Sequence, residues 1–218
     1  SARYFQRPDA KHVHLDPTRT KLDGGSGSLG LSKGEGRWTF EVRGGFESPE
    51  HERNDVGSLS TADGVMGFAE LGYRQTQPGF FYAWEAGVFA NAEKNYGGEL
   101  QSQRAGSNLS LTWRNYWTTF LFLNVQGRAH DQRLTRGGPL MGTPRGWDFR
   151  ITQGNAFQSP TRFTVSASAS GNEDGGSGLS LSGSVALQPS PRFSLSLGPR
   201  FSRATTVRQY VDTLPGGR

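Results

Sequence analysis

Phe163-Thr164-Val165-Ser166-Ala167-Ser168-Ala169-Ser170 alternates an apolar side chain with a hydroxyl at every step. Successive side chains of an extended chain point to opposite faces, so Phe163, Val165, Ala167 and Ala169 share one side and Thr164, Ser166, Ser168 and Ser170 the other. A helix would scatter both sets around its circumference, so the stretch reads as a strand. The same period continues in Leu179, Leu181, Val185 and Leu187 and in Phe193, Leu195 and Leu197, each set interleaved with Ser, Thr or Gly. A soluble β-sandwich would usually expose Lys and Glu where this chain carries small hydroxyls.

Upstream the pattern persists. Trp147, Phe149 and Ile151 oppose Asp148, Arg150 and Thr152, and Trp117, Thr119, Leu121, Leu123 and Val125 oppose Phe120, Phe122, Asn124, Gln126 and Arg128. Leu109, Leu111 and Trp113 form a further apolar set, as do Phe80, Tyr82, Trp84, Ala86 and Val88. Val65, Ala69, Leu71 and Tyr73, then Trp38, Phe40 and Val42, complete the clear cases, and Leu29 and Leu31 mark a weaker strand. The total is about ten strands, several near the ~9–11 residues that cross a bilayer at a tilt; soluble strands average about 5–6.

Short breaks at Gly34-Glu35-Gly36, 75–79, 114–116, 158–161 and 188–192 alternate with longer polar stretches at 47–61, 92–103, 130–145 and 171–178. Alternating short and long connections are the mark of an outer-membrane barrel, whose short turns face the periplasm. Trp38, Tyr73, Phe80, Trp113, Trp117, Phe163 and Phe193 bracket the short breaks, as an interfacial aromatic girdle would. The expected fold is therefore all-β: an antiparallel up-and-down transmembrane β-barrel, with these strands forming part of a larger one. Residues 1–24 read as an irregular lead-in, 25–202 as barrel strands and loops, and 203–218 as a loop toward further strands.

Composition agrees with a chain not organised around a thick core: 218 residues hold 31 Gly and only 33% hydrophobic residues. The absence of Cys removes any disulfide framework or thiolate metal site. The net charge of +5 comes from 24 Lys and Arg against 19 Asp and Glu spread along the chain, so nucleic acid is not an expected partner. No apolar run approaches the length of a membrane helix, and no charged start with an apolar h-region follows Ser1. The chain is expected to be a piece of a longer mature protein.

Arg3-Tyr4-Phe5-Gln6-Arg7-Pro8-Asp9, Leu15-Asp16-Pro17-Thr18-Arg19-Thr20 and Thr135-Arg136-Gly137-Gly138-Pro139-Leu140-Met141 are idiosyncratic, as are 54–57, Arg114-Asn115-Tyr116-Trp117, Gly198-Pro199-Arg200 and Gln209-Tyr210-Val211. Together they resemble a bacterial family of unknown function whose members join a family-9-like carbohydrate-binding module to a C-terminal outer-membrane barrel domain. The resemblance covers the barrel part and implies a Gram-negative envelope protein that presents a glycan-binding module while its barrel anchors it or passes solute.

Glu41, Arg43, Glu70, Arg74, Glu85, Arg114 and Arg128 fall on the expected lumen face, where opposite charges either select solutes or plug the interior with salt bridges. Phe68, Phe81, Phe120 and Phe122 on that face favour partial filling. Arg136 beside Gly137 and Gly138 offers exposed N–H groups for an anion, against the plainer role of a loop folded into the barrel mouth. His12, His14 and Asp16, at i, i+2 and i+4, would share one strand face as weak metal ligands. No catalytic constellation and no cofactor site stands out. The expected role is an outer-membrane channel or anchor for polar solutes or glycans, with the lipid bilayer as partner. The rivals are a plugged anchor for a carbohydrate-binding module and a soluble carbohydrate-binding sandwich.

Overall fold

The computed structural model describes residues 10–13, 18, 20–21, 23–51, 62–132, 134, 139–156, 158–190 and 192–207. The described elements are all strands: β1 (Ser26–Lys33), β2 (Trp38–Glu47), β3 (Gly64–Gln75), β4 (Ala83–Lys94), β5 (Leu100–Thr112), β6 (Thr118–Gln126), β7 (Ala129–Asp131), β8 (Met141–Thr143), β9 (Gly146–Gly154), β10 (Thr161–Asn172), β11 (Ser177–Ser190), β12 (Phe193–Leu197) and β13 (Arg200–Thr205). One antiparallel sheet runs in the order β1-β2-β3-β4-β5-β6-β9-β10-β11-β12, with β13 also on β11, and β7 and β8 form a separate hairpin.

β12 and β13 pair with successive parts of β11, and the Gly183 N–H donates to the Pro199 carbonyl at 3.0 Å between them. They make one position interrupted at Gly198-Pro199, where proline lacks the donor that the ladder needs. The sheet is thus ten positions wide, in line with about ten expected strands. The final position runs to Thr205, past the expected limit at 202. β1 and the β12–β13 position each have a partner on one side only among the described residues, so the sheet is open.

Two connections expected to be long are tight. β4 runs to Lys94 and β5 begins at Leu100, while β10 ends at Asn172 and β11 starts at Ser177. Both turns have one construction. Asn95 N–H donates to Glu99 O, Gly98 N–H to Asn95 O, and Glu99 N–H to Asn95 Oδ1 at 2.8 Å. Asn172, Gly175 and Gly176 repeat it, with Gly176 N–H on Asn172 Oδ1 at 2.8 Å. Gly98 and Gly175 take φ of +85° and +90°, the left-handed position of a hairpin loop that ends in a glycine bulge.

The apolar face has no second layer over it among the described residues. Buried apolar residues are Val13, Ala62 and Ala129, none of them on the large sheet, whereas Leu31, Val42, Leu71, Val88, Leu123, Val125, Leu179 and Leu181 are exposed. Thr119 and Asn124 are buried within β6, and among the connections the buried Asp63, at φ +66°, accepts the Tyr96 N–H at 3.0 Å while Gln132 reaches Ala62 O.

Candidate functional site

The polar face is the candidate site, and strand register arranges it in rows. One row toward the long connections reads Arg43, Phe68, Asn91, Arg104 and Gln126 from β2 to β6. The next reads Glu41, Glu70, Phe89, Gly106, Asn124 and Asp148. A third carries Asn108, Phe122, Arg150, Ser168 and Ser180.

Glu41, Arg43, Glu70 and Glu85 occupy this face. Arg43 Nη1 pairs with Glu41 Oε1 at 3.2 Å and its guanidinium lies 5.2 Å from the Phe68 ring centroid. Glu41 and Glu70 stand directly opposite in register, a like-charge cross-strand pair. Glu70, Glu85, Arg104 and Arg150 hold no ion pair among the described residues.

The remaining expected charges do other work. Arg74 shares the face, but its guanidinium donates to the carbonyls of Gly34 and Gly36, the latter at 2.8 Å. Arg114 donates to Gly79 O at 2.7 Å. Each therefore fastens one short turn to the next. Arg128 lies in the connection after β6, where its Nε and Nη2 both donate to Glu173 at 2.8 Å. Glu173 also accepts the Arg145 N–H at 2.8 Å. The Arg128 hydrogen bonds first, then the Arg145 N–H, hold the Glu173 carboxyl down at about 2, and the same partner raises Arg128 above its ordinary value.

Across β9 to β13 this face is mostly small hydroxyls, with Thr152 Oγ1 and Ser166 Oγ 2.9 Å apart. Across β4 to β6 the Phe89 and Phe122 rings stack at 5.8 Å. Gly106 lies between them, and a Cβ there would come within 2.5 Å of both the Phe89 ring and the Leu123 carbonyl. Glycine on β5 is what lets Phe89 reach across.

At the short-turn end the aromatic residues touch in series. Trp38 meets Tyr73 at 4.9 Å, Tyr73 meets Trp84 at 5.3 Å, and Trp113 meets Phe81 at 4.9 Å and Phe80 at 6.5 Å. Trp117 meets Phe163 at 5.3 Å. Trp113 Nε1–H donates to Thr119 Oγ1 at 2.8 Å, and that hydroxyl donates to Gln153 Oε1, so the polar groups of Thr119 and Gln153 on this side are joined to the indole. Phe193 is exposed at the start of β12.

His12 Nε2–H donates to the Asp63 carboxylate at 2.9 and 3.0 Å. His14 and Asp16 lie outside the described residues, as do Arg136, Gly137 and Gly138. No cluster of three or more metal-ligating groups occurs among the described residues. The hairpin of β7 and β8 carries His130, whose Nδ1 is 3.6 Å from Glu99 Oε2, and it roofs a polar pocket with Asn91, Arg104 and Gln126. Those three and Arg150 were not singled out from the sequence. Alternation alone placed them on the polar face, but only register brings them into rows.

Residues 2–215 match the family described as a domain of unknown function (DUF5916). The chain belongs to this family. No curated protein and no solved structure matches the DUF5916 chain. What the DUF5916 chain presents is therefore read from its own geometry: a bare apolar face, aromatic rings gathered at one end, and a charged, largely unpaired opposite face.

Proposed function

We propose that this sheet is part of the wall of a bacterial outer-membrane β-barrel, with lipid against its apolar face and a wetted passage for small polar solutes along its polar face. The observation that carries the reading is the pairing of opposites across one sheet. Leu123, Val125 and Leu181 stand open at 43%, 48% and 47% with no layer over them among the described residues, while Glu70, Glu85, Arg104 and Arg150 on the polar face stand without ion pairs among those residues. Hydrocarbon accommodates the first surface and water the second. A soluble sandwich requires a second sheet over Leu123 and its neighbours, and the described residues form none.

Dimensions support it. Trp38 begins β2 and Phe46 lies near its end, about 27 Å apart at ~3.4 Å per residue. At a tilt of roughly 40° that leaves about 20 Å across the membrane, close to the apolar band of known barrels. An open edge cannot face hydrocarbon, so the reading requires further strands against β1 and β13.

A plugged anchor, in keeping with the resemblance to barrels joined to a carbohydrate-binding module, is the second reading. It draws on the stacked Phe89 and Phe122 and on the hairpin packed beside the polar face. Reconstitution of the full protein in a planar bilayer separates the two: the passage gives discrete conductance steps, and a heat-modifiable, folded protein without current would overturn it in favour of the anchor.

A further inference from the structure

β6 and β9 pair directly, as far as Gln126↔Gly146 at the end where the chain leaves one and enters the other. A two-residue turn would close that pair, so the sheet does not need the β7–β8 hairpin that the chain builds there. One carboxylate holds both ends of this hairpin. Arg128, just before β7, donates twice to Glu173 at 2.8 Å. Arg145, just past β8, donates its N–H to the same carboxylate at 2.8 Å and accepts the Glu173 N–H at 3.0 Å. Gln103 Nε2 adds a bond to Arg128 O at 3.0 Å. On the other side Gln132 Nε2 donates to Ala62 O at 3.3 Å.

The hairpin is thus tied at the end of β10 and at the start of β3, five inter-strand intervals apart in the sheet, or about 24 Å at ~4.8 Å each. Between those ties it lies over the polar face, where it shares a pocket of ≈ 370 Å³ with Asn91, Arg104 and Gln126. We propose that the β7–β8 hairpin is the constriction that limits the size of solute the passage admits, and that Glu173 is the residue that holds it in place. A close-packed plug leaves few voids larger than a water molecule, whose share of volume is ~30 Å³; the space beside the hairpin is many times that, so it narrows the passage without filling it. Ala129 is the one buried apolar side chain of the hairpin among the described residues. Hydrogen bonds rather than packing therefore fix its position, and the Arg128–Glu173 pair is the strongest of them, being bidentate and charged on both sides.

The inference rests on the passage reading, and the test separates the two. The full protein is reconstituted in liposomes, its folding checked by heat-modifiable mobility, and swelling is followed with glucose oligomers of increasing length. A protein in which a short Gly-Ser linker replaces residues 129–143 is expected to admit longer oligomers than the wild type and to give larger conductance steps. Glu173→Gln and Arg128→Gln, which keep the hairpin but break its fastening, should shift the limit the same way by a smaller amount. The chain has no Cys, so Ala129→Cys adds a single thiol to it at a buried position. Its labelling by a maleimide should accelerate roughly fivefold in the Glu173→Gln background, the worth of a bidentate pair that is open to solvent on the arginine side. A folded wild type that admits solute while the hairpin-less protein keeps the same limit overturns the constriction and leaves the passage standing. No swelling from either overturns the passage, and the constriction with it. Unchanged labelling in Glu173→Gln removes Glu173 from the role given to it.

Discussion

Asn95 and Asn172 decide two turns by the same means. Each puts a side-chain oxygen where the last N–H of the loop needs an acceptor, at 2.8 Å in both cases, and a glycine takes the left-handed φ one residue earlier. A Cβ at Gly98 meets nothing within 4 Å, so a substitution there tests backbone conformation alone. Gly98→Ala is expected to destabilise by about 1 kcal/mol, the cost of forcing alanine to positive φ, read as a lowered urea midpoint in detergent micelles. Glu173 supplies a pH test. Its carboxyl is held down to about 2 by Arg128 and the Arg145 N–H, so its stabilisation is complete above the ordinary carboxylate value near 4.5 and is lost as pH falls toward 2. Amide exchange at Arg145, corrected for intrinsic rate, should therefore accelerate between about pH 4.5 and 2. In Glu173→Gln that pH dependence should disappear.

Alternation of side-chain type made the strands legible because it is local: Phe163 to Ser170 declares two faces without reference to any neighbour. The tight turns at 95–99 and 172–176 were not legible in the same way. Past Ala92, Glu93 and Lys94 make both sides of β4 polar, and Gln101, Ser102 and Gln103 do the same at the start of β5, so a continuing strand looks like a loop. Rows depend on register, and register depends on turn length. The Asn91, Arg104 and Gln126 row therefore stayed hidden while Glu41 and Arg43, two apart on one strand, did not. The same limit applied to Gly106, whose role belongs to Phe89 on one neighbouring strand and Phe122 on the other. Gly106→Ala drives a methyl against the Leu123 carbonyl and the Phe89 ring; the expected loss is about 1–3 kcal/mol from overpacking, measured by urea unfolding. Phe89→Ala in the same background should recover part of it by vacating one of the two clashing groups, whereas a loss that owed nothing to Phe89 would add in full.

For the whole molecule the deciding quantity is what touches each face. A large antiparallel sheet with its apolar face bare can be satisfied by lipid or by another protein layer, and the two differ in how they tolerate charge. Leu123 lies on the apolar face of β6 with 43% of its surface open, and Ser168 lies on the polar face of β10. In a membrane, Leu123→Arg carries a guanidinium into hydrocarbon and should cost about 2–4 kcal/mol near the midplane, whereas Ser168→Arg enters a wetted lumen and should cost well under half as much. On a water-exposed sheet the order collapses, because a half-open leucine replaced by arginine leaves the long side chain in solvent at a cost within about 0.5 kcal/mol. Urea unfolding of both variants of the full protein in lipid vesicles reads the difference directly: a loss confined to Leu123→Arg places hydrocarbon on the apolar face, and equal small losses would place water there and remove the membrane from the account.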